Sequence, residues 1–304
     1  MKIRSLQQQF KYAIDSNIKI GHSKKNEGRE SGLYSIDRIE NLRDFSKQFS
    51  NYIKQNYPDV RLVKEITNEH IQSFLNDNAS KWTERTANEY ITNFKKLDDL
   101  LQKTYHTQEI TKDLIVPVAN KTVTRDVAMS KEDLQKLRNS YAARDSKSAG
   151  RDAIEISYRL GLRAKEIARL NTKNIDIENK MVYVREGAKN GKYRDVPIRD
   201  KDLSYFKDLK DRSGEGYIFN VQEDSLNRSI RNELKRIGLN DKYDNTTIHS
   251  IRKLYATERM EELRGPVAQD PLVSAEERKC WEIVQQELGH GNNLRMALYN
   301  TYIK

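Results

Sequence analysis

Cysteine is nearly absent from this 304-residue sequence, in which Cys280 is the only one. A single cysteine cannot form an intramolecular disulfide, and it cannot supply the cysteine pair of a CxxC zinc site. The five histidines are scattered, and neither an HExxH nor an EF-hand pattern occurs. We therefore expect a protein that needs no metal or other cofactor and that works in the reducing cytoplasm.

Long apolar runs are also absent. No stretch approaches the about 18 apolar residues of a membrane span, and the N-terminal MKIRSLQQQFK lacks an apolar core of signal-peptide length. A nucleotide-binding phosphate loop is missing too, because GAKNGK, residues 187–192, has three residues between its glycines where that loop has four. These absences predict a soluble, intracellular protein without membrane contact.

Positive charge is what the chain has in excess. Lys and Arg number 55 against 45 Asp and Glu, which gives a pI of about 9.3, and the mean hydropathy is −0.89. An excess of this kind favours a polyanionic partner such as nucleic acid over a membrane or an acidic metabolite. A basic surface that only confers solubility is the alternative.

The first third of the chain has the pattern of helices joined by polar loops. Ser35 is predicted to cap a helix that ends before Pro58. In TANEYITNFKKLDDLLQK, Thr86 and Glu89 have capping-box spacing, and apolar residues recur at helical intervals behind them. Lysines on the other face of this helix can meet DNA phosphate or only water.

The helical period is lost before the second half of the chain. We predict a helical domain over residues 1–110, a linker over 111–128 that contains Pro117, and a second domain over 129–304. In the second domain Ser130 and Asp133 have capping-box spacing, and Gly161 ends a helix. Residues 181–184 and 193–198 are β-branched and aromatic and flank GAKNGK, which predicts a hairpin. The fold class is therefore mainly α with a small β-sheet.

An ordered set of polar residues carries the functional signal. Each member alone has an ordinary explanation, as a helix cap, a solvated turn, a surface pair or a core tyrosine. Their order and local settings argue against coincidence. The set consists of Arg163 in GLRAKEIARL, Lys189 in GAKNGK, His249 and Arg252 in TIHSIRKLYAT, and His290 and Tyr299 in LGHGNNLRMALY.

On these motifs the chain resembles the tyrosine recombinase family of phage-integrase-like site-specific recombinases. The resemblance covers residues 130–304 and, more loosely, the helical first third, which looks like the family's SAM-like core-DNA-binding domain. The family's GLR arginine is followed three positions later by an acidic residue, and its lysine precedes a basic residue and a Val-Pro strand. The matching positions here are Arg163 with Glu166, Lys189 with Arg194, Val196 and Pro197, the HxxR pair His249 and Arg252, and His290 of LGH with Tyr299 nine residues on.

The resemblance implies a reaction and a role for each residue. DNA strands are cleaved and rejoined through a 3′-phosphotyrosyl intermediate without metal or ATP. The implied roles are a phosphate clamp for Arg163 and Arg252, a further donor for His290, a general acid for Lys189, acceptance or relay of the tyrosine proton for His249, and orientation of the clamp for Glu166. Contacts to DNA phosphate are expected from Lys81, Arg85, Lys95, Lys96, Lys192 and Arg194.

Two tyrosines compete for the role of nucleophile. In a terminal helix Tyr299 and Tyr302 are three residues apart and fall on neighbouring faces, so helical geometry alone does not choose between them. The family spacing selects Tyr299, and Tyr302 is then expected to pack the last turn or to contact a neighbouring protomer. On this hypothesis Tyr299→Phe forms no covalent adduct and Tyr302→Phe retains it.

The expected partners follow from the same resemblance. They are a double-stranded DNA recombination site, further copies of the chain in a tetramer on DNA with a monomer possible without it, and an accessory directionality factor. The expected setting is a mobile element of prokaryotic or phage origin, acting in the cytoplasm at the nucleoid. We expect no separate arm-binding domain before the helical third. Two alternatives are a type IB topoisomerase-like nicking-closing enzyme and a catalytically silent DNA-binding protein of the same fold.

Overall fold

The computed structural model describes residues 4–22, 32–117, 127–144, 148–188, 193–243, 247–265, 274–291 and 294–303. These residues form twelve α-helices and one three-stranded antiparallel sheet. The chain divides into two compact units, residues 1–123 and residues 124–304, here named the N-terminal and C-terminal units. The predicted fold class, mainly α with a small sheet, is confirmed. Within the described ranges no helix combines the length and apolarity that crossing a membrane requires.

Four helices build the N-terminal unit around a core of phenylalanines. They are α1 (Leu6–Asp15), α2 (Ile36–Asn56), α3 (Asn68–Asn78) and α4 (Glu84–Tyr105). The Phe94 ring meets Phe45 and Phe49 edge-on at centroid distances of 4.6 and 4.8 Å, which is a favoured aromatic geometry.

The two predicted helix starts in this unit have different outcomes. Ser35 caps α2 by accepting a hydrogen bond from the Arg38 amide, as predicted. The predicted cap at Thr86 is wrong. Helix α4 begins at Glu84, because the Thr83 hydroxyl accepts the Thr86 amide at 3.1 Å and fixes the first turn three residues earlier.

The first residues of the predicted linker are bound to the N-terminal unit. The Asp98 carboxylate accepts the Thr111 amide at 3.1 Å, and the Gln72 side chain pairs with both the amide and the carbonyl of Ile115 at 3.0 and 3.1 Å. Side chains of α3 and α4 therefore supply the hydrogen bonds that an extended segment cannot make within itself. Residues 118–126 of the linker lie outside the described part.

The C-terminal unit opens with three helices, α5 (Lys131–Ala142), α6 (Ala149–Leu160) and α7 (Ala164–Ala168). Ser130 caps α5 through the Asp133 amide, and Gly161 ends α6, both as predicted. Gly161 has a φ of +62°, and a Cβ placed there would lie 2.4 Å from the Tyr255 ring. Only glycine satisfies both the left-handed backbone and the close approach.

The sheet contains the predicted hairpin with one further strand. Strands β1 (Ile175–Asp176), β2 (Met181–Val184) and β3 (Arg194–Pro197) pair antiparallel in that order, with Val182 opposite Val196. Val182 and Val196 are buried, so the hairpin is anchored by one apolar face. Its turn, residues 189–192, falls outside the described ranges.

The remaining helices surround α10. They are α8 (Leu203–Ser213), α9 (Glu223–Arg236), α10 (Thr247–Arg264), α11 (Ala275–Glu287) and α12 (Met296–Tyr302). Every residue from Ser250 to Ala256 is buried, so α10 is covered on all sides. An apolar cluster that includes Trp281, Tyr299 and Tyr302 joins α10, α11 and α12. This packing fixes α12 against the polar residues of α10.

Candidate active site

The guanidinium of Arg252 lies at the centre of the site and is almost completely buried. Its terminal nitrogens donate to the carbonyl oxygens of Gly161 and Leu288, and its Nε lies 3.2 Å from the Tyr302 hydroxyl. Burial lowers the pKa of Arg252 from its ordinary value. A buried charge needs such acceptors, and the ends of α6 and α11 provide them.

Arg163 enters the site from the first turn of α7. Its amide donates to Glu166 Oε2 and its Nη1 donates to Oε1, both at 2.8 Å, while Nη2 lies 3.4 Å from the Gly289 carbonyl oxygen. The Glu166 carboxylate is fully buried. The GLR arginine and the acidic residue three positions later thus lie in contact, as expected from their spacing.

A third arginine, Arg194, completes this cluster. It donates from Nη1 and Nη2 to the two oxygens of Glu166, each at 2.8 Å. Burial alone would raise the pKa of Glu166, but the hydrogen bonds and charge of Arg194, followed by the charges of Arg252 and Arg163, outweigh it and lower that pKa to about 2. Glu166 is therefore ionised at neutral pH and offsets part of the repulsion among the arginines.

The C-terminal end of α11 holds all three arginines. Three consecutive carbonyl oxygens, of Glu287, Leu288 and Gly289, accept from Arg194 Nε at 2.7 Å, from Arg252 Nη2 and from Arg163 Nη2 respectively. The last carbonyls of a helix have no partner within the helix and carry the negative end of its dipole. The Leu-Gly of the LGH motif therefore acts through its backbone.

Gly289 is the point of closest approach in this arrangement. Its φ is +70°, and a Cβ built on it would lie 2.7 Å from Arg194 Nη1 and 3.1 Å from Arg163 Nη1. A side chain at this position would separate the two arginines from the α11 carbonyls, so the motif requires glycine here.

Tyr302 is the tyrosine that the structure brings to this cluster. Its hydroxyl lies 3.2 Å from Arg252 Nε and 3.3 Å from His290 Nε2. The ring of His249 meets the Tyr302 ring edge-on, with centroids 5.6 Å apart. Arg252 and His290 therefore converge on the hydroxyl of Tyr302, and His249, predicted to share their site, packs against its ring.

Tyr299, the tyrosine chosen from spacing, lies outside this cluster. It is buried against Trp281, and its hydroxyl donates to Glu277 Oε1 at 2.7 Å. Tyr302 was expected to fill a structural role and Tyr299 to face the arginines; the structure reverses their positions.

The reversal has a simple geometric cause. Helix α12 begins at Met296, six residues after His290. The Tyr299 hydroxyl in its first turn meets α11 at Glu277, and the Tyr302 hydroxyl in its last turn meets α10 at Arg252. The first turn is held there because Trp281 Nε1 donates to the Arg295 carbonyl at 3.3 Å. The family spacing of nine residues after the histidine does not take into account where the helix starts.

Burial and positive charge act together on His290. Burial, followed by the charges of Arg252, Arg163, Arg194 and Arg295, lowers the pKa of His290 to about 3. Since arginine has no acceptor, Arg252 Nη2 at 3.4 Å must donate to His290 Nε2 if the two are bonded. The ring is then neutral, with an unprotonated Nε2 that faces the Tyr302 hydroxyl.

We expect an NMR titration to show this depressed pKa of His290. Between about pH 6.5 and pH 3 the unfolded chain binds a proton at His290 and the folded protein does not. The free energy of unfolding should therefore decrease as the pH falls through that window. A bound phosphate should raise the pKa, because its negative charge favours the imidazolium. A ring that titrates near 6.5 without DNA would contradict the described electrostatics.

The predicted DNA contacts fall into three groups. Lys81, Arg85 and Lys95 are exposed and Lys96 is half-buried, all in the N-terminal unit. Arg194 is buried in the cluster with Glu166, so its side chain does not present a surface charge, contrary to the expectation from sequence. Lys192 lies outside the described residues, and so does Lys189, the predicted general acid.

Comparison with known proteins agrees with the motifs. Residues 127–264 match the phage integrase family model. The matched residues make up most of the C-terminal unit, residues 124–304. Tyrosine recombinase XerA of Saccharolobus solfataricus is 30% identical over 131 residues, which span 43% of this chain and 42% of the relative.

Solved structures share the fold at low sequence identity. A lambda integrase (75-356) dimer bound to a COC' core site is 16% identical, with a TM-score of 0.64 over 97% of each chain. The Tn1549 transposon integrase in complex with circular intermediate DNA is 12% identical, with a TM-score of 0.64 over 99% of this chain and 95% of that one. At such identities the likeness describes the fold of a phage integrase family protein and not its target.

Sequence reasoning missed two features of this site. It predicted that Arg194 contacts DNA. A basic residue that directly precedes a buried strand with a Val-Pro pair can, however, point into the protein as well as toward solvent. It also took LGH as a source of one side chain, whereas the two preceding backbone carbonyls hold arginines. The signal available in the sequence was Gly289, since glycine after a helix marks carbonyls that need other donors.

Proposed function

We propose that the protein is a site-specific DNA recombinase that cleaves and rejoins strands through a 3′-phosphotyrosyl intermediate, with Tyr302 as the nucleophile. The observation that carries this proposal is the convergence of Arg252 and His290 on the Tyr302 hydroxyl within 3.3 Å. Arg163 joins them through the adjacent carbonyls of α11. The match of residues 127–264 to the phage integrase family model supports the same chemistry.

Cleavage begins with attack of the Tyr302 oxygen on phosphorus. A free tyrosine has a pKa of about 10, so its phenolate at pH 7 is disfavoured by roughly 4 kcal/mol. The neutral His290 Nε2 accepts the phenolic proton, and Arg252 Nε donates to the oxygen as negative charge develops on it. His290 thus takes the role first given to His249, whose ring packs against Tyr302.

The bond from phosphorus to the 5′ oxygen breaks as the bond to Tyr302 forms. Lys189 protonates the leaving oxygen, a role that rests on the family resemblance. Arg163 and Arg252 stabilise the non-bridging oxygens, which gain charge in the transition state. Because the phosphotyrosine conserves the energy of the broken bond, a 5′ hydroxyl of another strand can reverse the attack without ATP.

The proposed substrate is a double-stranded DNA site bound by both units. Exposed Lys81, Arg85 and Lys95 supply phosphate contacts in the N-terminal unit, and such contacts set affinity more than sequence choice. The lambda and Tn1549 integrases of similar fold are complexed with DNA, and a lambda integrase tetramer has been seen on a Holliday junction. On this basis we propose a tetramer on DNA that serves a mobile element.

The test is covalent capture of DNA. The purified protein is incubated with nicked duplexes from the DNA that flanks its own gene, and covalent complexes are isolated under denaturing conditions and sequenced. A recombinase enriches one short site at the ends of the element. Adducts spread without site preference, together with relaxation of supercoiled plasmid, would instead indicate a type IB topoisomerase-like activity. Binding without any adduct would indicate a silent DNA-binding protein and refute the proposal.

A further inference from the structure

Arg194 stands where the hairpin meets the arginine cluster. It is the first residue of β3, five residues after Lys189 in the sequence. Its Nε and both terminal nitrogens donate to three acceptors on two other elements, the Glu287 carbonyl at the end of α11 and both Glu166 oxygens on α7. Arg194 therefore links β3 to both α7 and α11.

The neighbouring charged pair on the same hairpin is very different. Arg185 and Asp195 form an ion pair at 2.6 Å, with side chains 38% and 46% exposed, whereas the Arg194 side chain is 8% exposed. Exposed ion pairs contribute little, and one that is buried and bidentate constrains geometry on both sides. Arg185 and Arg194 therefore belong to the same hairpin but differ in burial and in hydrogen-bond partners.

We propose that Arg194 is a positioning residue that couples the β2–β3 hairpin to Arg163 through Glu166. The proposal rests on the proposed function. Glu166 binds Arg163 and Arg194 at once, so a shift of the hairpin moves the carboxylate that holds Arg163. The Glu287 bond ties the same strand to the helix end that holds Arg252 and Arg163 through the next two carbonyls.

This coupling has a chemical purpose. The general acid and the phosphate clamp must act on the same phosphate, on the leaving oxygen and on the non-bridging oxygens, and small displacements of either are costly in rate. Arg194 makes the base of the hairpin and the Arg163 side chain share one buried carboxylate. Their relative position is then set by the protein before DNA binds.

The experiment compares the same substitution at two arginines of the hairpin. Arg194→Lys keeps the charge but cannot make both the bidentate pair with Glu166 and the bond to Glu287, and Arg185→Lys is the matched control. At saturating DNA we expect the rate of adduct formation to fall at least about tenfold for Arg194→Lys and to change less than about twofold for Arg185→Lys. The dissociation constant for DNA should stay within about twofold for both.

A pH profile separates positioning from a general loss of structure. Glu166 faces Arg163 from its own helix, Arg194 from β3 and Arg252 from α10, with His290 in the same cluster. Without the full contribution of Arg194 the pKa of Glu166 should rise from about 2 to above that of His290, about 3. Glu166 would then set the acid limb of the rate profile, which should move to higher pH. Glu166→Gln keeps a hydrogen-bond acceptor and removes the charge. Its rate of adduct formation should fall, but its pH profile should not show the shifted acid limb.

Several outcomes would overturn the proposal. Weaker DNA binding with a smaller salt dependence for Arg194→Lys would mean that the side chain contacts phosphate, as sequence suggested. Equal effects at Arg185 and Arg194, or a slower rate with an unmoved acid limb, would mean a structural role alone. The wild-type protein on the same substrate separates this test from the test of the proposed function. If the wild-type protein forms no adduct, the proposed function is refuted. If it forms the adduct, the comparison of Arg194→Lys with Arg185→Lys tests the positioning role.

Discussion

Tyr302→Phe should bind DNA like the wild-type protein and form no covalent adduct at all. The substitution keeps the ring that packs against Trp281 and His249 and removes only the hydroxyl that faces Arg252 and His290. A nucleophile has no substitute in this reaction, so the loss should reach the detection limit, more than about 1,000-fold. The measurement is the fraction of nicked substrate that becomes protein-linked at saturating enzyme.

Tyr299→Phe is the matched control, three residues away on the same helix. It removes the hydrogen bond to Glu277, which helps to hold the first turn of α12 on α11. We expect slower adduct formation, by about three- to tenfold, since a single buried hydrogen bond contributes about 1 kcal/mol. Digestion of a trapped wild-type complex and mass spectrometry should find DNA on the peptide at Tyr302. DNA on Tyr299 would restore the assignment made from spacing.

Local motifs carried the sequence predictions that succeeded. The Ser35 and Ser130 caps and the Gly161 stop depend on hydrogen bonds within one turn, and these were confirmed. The hairpin over residues 181–198 depends on alternation within two short strands and was confirmed as well. The HxxR pair lies on one face of α10 because of helical spacing alone.

In the C-terminal unit, the positions that differ from expectation depend on long-range packing, whereas the Thr86 cap differs by three residues at the start of one helix. Where α12 starts depends on the Trp281 and Gln285 side chains of α11, which bind the backbone of Arg295. Whether Arg194 points inward depends on Glu166, which is 28 residues earlier. A sequence pattern shows which residue types are present. It does not show which of two tyrosines will contact a distant element, or whether a residue at the start of a strand will point toward that element.

The arginine cluster also explains why the site needs the end of a helix. Three guanidiniums gathered without DNA repel one another, and one carboxylate neutralises only part of that charge. The carbonyls of Glu287, Leu288 and Gly289 add fixed partial charges of the opposite sign without adding a second carboxylate that would repel phosphate. The net positive charge left over is what a phosphodiester can neutralise.

Arg163→Ala should reduce adduct formation by about 100-fold or more while DNA binding stays within about tenfold, because the guanidinium acts mainly on charge that appears in the transition state. Arg163 is a better test than Arg252, since Arg252 is buried and its removal would leave the carbonyls of Gly161 and Leu288 without donors. The Arg163→Ala protein should keep its fold, as judged by an unchanged circular dichroism spectrum. A parallel loss in binding and cleavage would mean that Arg163 holds ground-state DNA instead.

Mixing Arg163→Ala with Tyr302→Phe should not restore cleavage. Each tyrosine hydroxyl lies 3.2 Å from the Arg252 of its own chain, so we expect each protomer to attack the phosphate that its own arginines hold. In the mixture, one protomer then lacks the nucleophile and the other lacks part of the clamp, and neither forms an adduct above the level of Arg163→Ala alone. Protomers of different length, resolved on native gels, would verify that both variants occupy one DNA. Substantial adduct on the Arg163→Ala chain would show that its Tyr302 had been delivered to the intact arginines of a neighbour, and α12 would then have to leave the position it holds here.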